Sequence, residues 1–370
     1  MRDYHGIIFA YHDEPALRDL VANRTAASLP FCSRYRLIDF ALSSLRNANV
    51  LDVGVIMQRD YQSLLDHIGS GKAWDMNRRS GGLRMLPPFG LPQYHTGNYN
   101  GTIEALNAVG SYIRNIPQKH VILLLGNLCA NIDLDAVIRQ HEKSGADATA
   151  ICADHSPSGS HNRYLVGPDG LVKSIALFRT GEGEGYASLE GYIFHKEKLL
   201  ELMDACRAAN LYRFHQDAMT MFLSRGGKMD VYVHPGYART IRSVDEYYQA
   251  SVEMLNAENR RQLFPADRPV RTKIHEDVST YYGEKATARN SLVGDNCIIE
   301  GEVEDCIVFS GVHIGEGAKL KGCILMRNCT VEENANLSYV IADKAAHFSQ
   351  GTTIMGSPVL PTVVPKDSKI

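Results

Sequence analysis

The sequence predicts an α/β domain built on a mostly parallel sheet, followed by a left-handed parallel β-helix. Three observations carry this reading. The first part of the chain holds short, wholly apolar runs separated by helical patterns. From about residue 290 the composition changes to short aliphatic residues set between Gly, Asn, Asp and Glu. That second region also repeats itself with a constant period.

Taken in order, Gly6 to Ala10 (GIIFA) reads as a short buried strand, and Val53 to Met57 and Val121 to Leu125 read the same way. Helical patterns lie between them, one over Arg36 to Asn47 and another starting near Thr102 and running through EALNAVGSYIRN. In open parallel sheets the ligand sits at the carboxyl ends of the strands, so chemistry is expected just after Ala10 and just after Leu125. A connecting segment over 241–285 contains the helix-like run Val244 to Arg261 and the stretch FPADRPVRT; it separates a first domain, 1–240, from a β-helix domain, 286–370. In the latter, Val303, Leu320 and Leu337 are spaced 17 apart, as are Ile307, Ile324 and Ile341, and Ile314, Val331 and Phe348. Three registers sharing one period, close to three hexapeptides per turn, stack aliphatic residues into a central column. The coil reads as a scaffold rather than an acyltransferase site, because His313 lies one residue before a core position and is expected to project outward.

A chain of 370 residues is too long for one ordinary core, which agrees with two domains. Acidic and basic residues nearly balance, at a net charge of −3, and are spread along the chain, so there is no electrostatic reason to expect nucleic acid or an anionic membrane as a partner. The apolar segment at the N-terminus is short and followed by His12 and Asp13, which fits neither a signal peptide nor a membrane span. The cysteines form no CxxC pair, and Cys297, Cys306, Cys323 and Cys329 fall in the repeat as small core residues. Reduced thiols in a cytoplasmic protein are the expectation.

The segments RYRLIDFALSSLRNANV (34–50), HIGSGKAWDMNRRSGGLRMLPP (67–88), YNGTIEAL (99–106) and PVRT (269–272), with the β-helix appendage, resemble bacterial ADP-glucose pyrophosphorylase, glucose-1-phosphate adenylyltransferase. The resemblance implies a Rossmann-like, GT-A-like nucleotidyltransferase domain that joins ATP and glucose 1-phosphate with Mg²⁺. It also implies specific catalytic positions, and these are depleted. The family's GGxGxRL loop cradles a triphosphate with backbone amides, yet here it reads Tyr11, His12, Asp13, Glu14, Pro15, Ala16, Leu17, with Ala16 where the family has its catalytic arginine. Asn127 replaces the metal-binding aspartate of the GDH segment, and Thr240, in YARTIRS, replaces the other; Arg242 follows where the family has glycine. Phe178 stands at the lysine of FVEKP, with Arg179 beside it, and Gln216 at the lysine of FGKD.

Other positions match. Gln58, Gly101 and Thr102 correspond to residues lining the adenine and ribose pocket, Asp133 to the acid ending the GDH segment, and Ser188 to a sugar-contacting serine, with Glu190 standing where that motif has glycine. These residues read equally as remnants of a nucleotide or sugar pocket and as fold determinants. The segment RAKPAVPFGGKYR becomes RTAASLPFCSRYR: its activator-associated lysine is Ala26, while Arg24, Arg34 and Arg36 remain as an anion or effector site. The resemblance is strongest to the regulatory GlgD-type subunit, and implies no catalytic residues and no cofactor in this chain. Mg²⁺ is expected only in a catalytic GlgC-type partner, and the chain is expected to form either a homo-oligomer or a hetero-oligomer with that partner. Two alternatives stay open: an active sugar-phosphate nucleotidyltransferase with a substituted site, and a binding protein that senses a sugar nucleotide.

Overall fold

The computed structural model describes the chain except residues 1–2, 12–13, 80, 88–98, 100, 156–159, 181–182 and 275; for 160 and 178–180 it describes the backbone only. The residues pack as two units, one of 1–12, 38–240 and 263–271 and the other of 13–37, 241–262 and 272–370.

The first unit is organised by strands β1 (Tyr4–Phe9), β2 (Val53–Ile56), β3 (Leu83–Leu86), β4 (His120–Leu125), β5 (Leu128–Ala130), β6 (Ala148–Ala153), β7 (Ser160–Val166), β8 (Val172–Thr180), β9 (Tyr186–His195), β10 (Met229–Val233) and β11 (Ala238–Thr240). Nine of them form one sheet with the path β8-β7-β9-β4-β1-β2-β3, while β6 joins β9 and β10 joins β6. The central β4, β1, β2 and β3 pair in parallel, and β1, β2 and β4 are buried along nearly their whole length, as the apolar runs in them predict. Strand β9 runs antiparallel to β4, β6 and β7. The helices that return the chain include α1 (Ile38–Asn47), α2 (Gln62–Ile68), α3 (Thr102–Ala108), α4 (Gly110–Asn115) and α5 (Leu134–Ser144). The helical pattern that begins at Thr102 is thus divided in two, at Val109. Helix α5 shows both ends of a stable helix: the Asp133 carboxylate accepts from the Ala136 N–H at 3.0 Å, and Gly145 closes the helix at φ 62°.

In the second unit the 17-residue period is realised in all three registers, but only two of them line the central column. In the remaining one, Val308, Leu325 and Ala342 join the core, and their strand neighbours Ile307, Ile324 and Ile341, also buried, face the opposite side because successive side chains alternate. Val303 pairs with Leu320 and Leu320 with Leu337; Ile307, Ile324 and Ile341 form a second ladder, and Ile314, Val331 and Phe348 a third. Three five-stranded parallel sheets result. Their inward side chains form a continuous core that includes Cys297, Cys306, Cys323 and Cys329. Burial of each large aliphatic side chain contributes roughly 1.5–3 kcal/mol. The corners are turned by residues that tolerate positive φ, among them Asn296 (56°), Asn328 (60°) and Asn334 (57°). His313 is exposed, its Nε2 3.3 Å from the Glu300 carboxylate, as the scaffold reading requires. All eight cysteines are free and buried. Among the described residues, no helix is long and apolar enough to cross a membrane.

Candidate functional site

The carboxyl ends of β1, β2 and β4 meet at one edge of the first unit's sheet. There the Ala10 N–H donates to the Ile56 carbonyl and the Gly126 N–H to the Phe9 carbonyl, at 2.9 and 2.8 Å. Gln58 follows β2 and Asn127 follows β4 at this edge, and both are buried. Tyr11 continues β1. It is buried and packs edge-on against Tyr99 with ring centroids 5.1 Å apart. Burial first, and then the neighbouring Tyr99, Glu190 and Glu104, push its phenol above the usual range, so it stays neutral. An aromatic ring bordered by two acids therefore continues the first strand where the resemblance calls for phosphate-binding backbone. His12 and Asp13, which follow it, lie outside the described residues.

Antiparallel pairing of β5 with β11 sets Thr240 opposite Leu128, the residue after Asn127. The two positions expected to carry metal-binding carboxylates are thus brought together, and both are buried. They offer an amide and a hydroxyl. Neutral oxygens compensate little of the charge of Mg²⁺, a hard ion that is usually held by one or two carboxylates, so these residues do not fit it. Phe178 lies in β8, and its side chain is outside the described residues. Gln216 accepts from Arg213 at 2.6 Å and is engaged locally.

The matching positions have structural work of their own. A Cβ on Gly101 would stand 2.3 Å from the Tyr212 carbonyl oxygen, so close backbone approach alone demands glycine there. Ser188 is buried in a network of side chains: its Oγ lies 3.1 Å from Tyr192 Oη, which lies 2.5 Å from His215 Nε2 and 3.0 Å from Tyr164 Oη. The same Oγ accepts from the Glu190 N–H at 3.0 Å. Glu190 itself holds φ 54°, at a bulge of β9, so the left-handed backbone expected of a glycine persists under a glutamate. Asp133 caps α5 and pairs with Arg268 at 3.5 Å. It borders a cleft of about 400 Å³ that is also lined by Arg46, Arg139, Arg271, Asp135 and Asp267.

In the second unit, Ala16 is exposed in a short 3₁₀ turn, Pro15–Val21. Arg24 is buried, and its guanidinium donates to the equally buried Asp343 carboxylate and contacts Met326 Sδ at 3.7 Å. Arg34 and Arg36 sit on a hairpin whose turn residues, Cys32 and Ser33, hold φ 51° and 55° where the family segment has two glycines. The three arginines do not present equally: Arg24 is neutralised inside the unit, Arg34 is exposed and Arg36 half-buried. The β-helix adds Lys344, whose amine burial and then Arg36 and Arg24 lower from 10.5 to about 8, with Arg327 contributing in the same direction. Arg327 also pairs with Asp277, at 3.2 Å. Asp343, Lys344 and Arg327 escape sequence reasoning because they lie some three hundred residues from Arg24. The only local signal is a pair of charged residues directly after the buried strand Val340–Ala342.

A mostly parallel α/β sheet in a chain that also carries a hexapeptide coil is the architecture of a nucleotidyltransferase-type protein, and the comparisons agree. Residues 16–254 match the Nucleotidyl transferase family, and 274–358 match the GlmU-like, C-terminal hexapeptide family. The chain is 31% identical over 362 residues to the glycogen biosynthesis protein GlgD of Bacillus subtilis (strain 168), covering 98% of this chain and 95% of that one. It is similar, at 30% identity, to the glucose-1-phosphate adenylyltransferase of Halalkalibacterium halodurans, covering 85% and 83%. The corresponding enzyme of Clostridium perfringens (strain SM101 / Type A) is 28% identical, with 85% and 81% covered. The chain belongs to the family of glucose-1-phosphate adenylyltransferases and GlgD-like glycogen biosynthesis proteins.

Proposed function

We propose that this chain is a non-catalytic or very weakly active regulatory subunit of glucose-1-phosphate adenylyltransferase, the reaction that turns ATP and glucose 1-phosphate into ADP-glucose and pyrophosphate. Its place is in glycogen biosynthesis in the cytoplasm, and its partner is a catalytic subunit of the same family. The observation that carries this reading is the pairing of β5 with β11, which joins Asn127 and Thr240 into a metal position without a carboxylate. Phosphoryl and nucleotidyl transfer depend on neutralising the charge of the migrating group, and neither residue supplies that. The chain itself therefore requires no Mg²⁺, which belongs to the partner. The Ser188 network and the Tyr11 ring leave any residual nucleotide binding weak.

Control of the partner then rests on a change of conformation across a shared interface. Arg34 and Arg36, together with Lys344, form the cationic group for a phosphate-bearing effector, whereas Arg24 holds Asp343 and braces the site from within. The test is pyrophosphate release from ATP, Mg²⁺ and glucose 1-phosphate, measured with the chain alone and mixed with the catalytic subunit from the same organism. No turnover alone, with a changed rate or apparent substrate affinity of the mixture, is the expected result. Robust turnover by the chain alone overturns it in favour of an active transferase.

A further inference from the structure

The opposite edge of the first unit's sheet, where the parallel strands begin, gathers three histidines. His120 opens β4, His195 ends β9 directly beside it in register, and His141 lies in the last turn of α5. Their ring centroids are 4.4 Å apart for His120 and His195, 5.4 Å for His141 and His195, and 5.5 Å for His120 and His141. One ligand nitrogen from each falls within 4.8 Å of the others.

We infer that His120, His141 and His195 form a three-histidine site for a borderline divalent transition metal, zinc in the first instance.

The orientation of the rings supports this. His120 Nδ1 faces the Asp3 carbonyl at 3.3 Å and must donate to it, which leaves the lone pair on Nε2. His141 Nδ1 is tied to Thr149 Oγ1, on β6, at 2.8 Å. Its Nε2 is buried without any hydrogen-bond partner, in a residue 2% exposed. A ring nitrogen so placed is costly unless something accepts its lone pair. Fixing a metal-binding imidazole through its other nitrogen is the usual outer-shell arrangement. Tyr4 stacks on His120 at 4.7 Å and donates to Glu142 at 3.1 Å, which walls one side.

An all-imidazole donor set suits zinc and disfavours Mg²⁺ and Ca²⁺, which take oxygen. Nitrogens about 2.0–2.1 Å from one zinc lie roughly 3.4 Å apart, so closing the site asks only side-chain rotation. Three protein ligands leave the fourth position to water. Bound there, the ion would clip the start of β4, the end of β9 and the end of α5 together, at the edge of the sheet opposite Asn127.

The experiment uses the full-length, tag-free chain stripped with EDTA. Zinc titration by calorimetry is expected to give one equivalent, with Mg²⁺ giving none, and Co²⁺ is expected to produce the visible d–d bands of a tetrahedral nitrogen site. His195→Ala, at the solvent side, and His141→Ala should each weaken zinc by about 100-fold or more, and Thr149→Val by about 10–100-fold. His313→Ala, in the β-helix, should leave binding unchanged. Circular dichroism confirms that each variant folds, and His195→Ala decides if His141→Ala does not. Absence of saturable zinc binding overturns the site, as does unchanged affinity in folded His195→Ala.

Discussion

The β-helix column and the sheet edge around Asn127 contrast in what this chain has kept. In the column each packing position is filled: Leu320, Leu337 and Phe348 are buried and their ladders continue from coil to coil. At the sheet edge the backbone is equally well made, with β5 and β11 paired and Gly101 fitted under a carbonyl, but the groups that would carry charge are neutral. Packing and chemistry are thus specified by different residues, and one can change without the other. Neutral Asn127 and Thr240 are also easier to bury than two carboxylates with no ion between them.

The strongest way to break this contrast is at the buried charge pair in the second unit. Asp343→Ala leaves the Arg24 guanidinium buried without its counter-ion and is expected to cost about 3–5 kcal/mol, measured from urea unfolding midpoints. Arg24→Met combined with Asp343→Leu should recover most of that loss. If the single substitution is nearly silent, the pair is solvated and the site is not braced from within. Next in size is the column itself. Leu337→Ala is expected to cost about 2–5 kcal/mol, because neighbouring coils above and below prevent collapse into the cavity.

Lys344 tests the cationic group by pH. Its amine titrates near 8 in the folded chain and near 10.5 when exposed. Between these values the unfolded chain holds more protons than the folded one, so this residue makes stability rise with pH; below about 8 the penalty of the buried charge is present in full. The difference in stability between the native chain and Lys344→Met should therefore be largest below pH 8, Met being the more stable, and shrink by pH 10.5. Phosphate should reduce the difference below pH 8 by favouring the charged amine. A difference that does not vary with pH would show that Lys344 is not desolvated.

Much of this architecture was legible in advance. The three registers of the β-helix have a fixed period, and central strands such as 121–125 are apolar throughout, so pattern alone locates them. That an amide, Asn127, stands where the resemblance expects a carboxylate was also visible in the letters. Other features were not. The grouping of 13–37 with the β-helix unit is discontinuous, and contiguous reading has no signal for it. The Arg24–Asp343 pair and the histidine trio join residues far apart in sequence, through strand register and helix phase. Whether Gly101 and Ser188 serve a ligand or the fold also depended on neighbours, Tyr212 for one and Tyr192 for the other.

The smallest expected effect lies in the backbone. Glu190 holds a left-handed φ of 54° at the bulge of β9, a conformation that costs a residue with a Cβ roughly 1–2 kcal/mol. Glu190→Gly removes that strain but adds the extra freedom of an unfolded glycine, about 0.5–1 kcal/mol, so the net gain should be below about 1 kcal/mol. Glu190→Ala keeps the Cβ and removes only the carboxylate that faces Tyr11 and Tyr192. Thermal midpoints of the two variants separate the causes: glycine above alanine means that strain dominates, whereas equal gains mean that partial burial of the glutamate's own charge was the cost. In the first outcome the sheet edge has kept a glycine-shaped backbone with the wrong residue in it, which is the same separation of geometry from chemistry seen at Asn127 and Thr240.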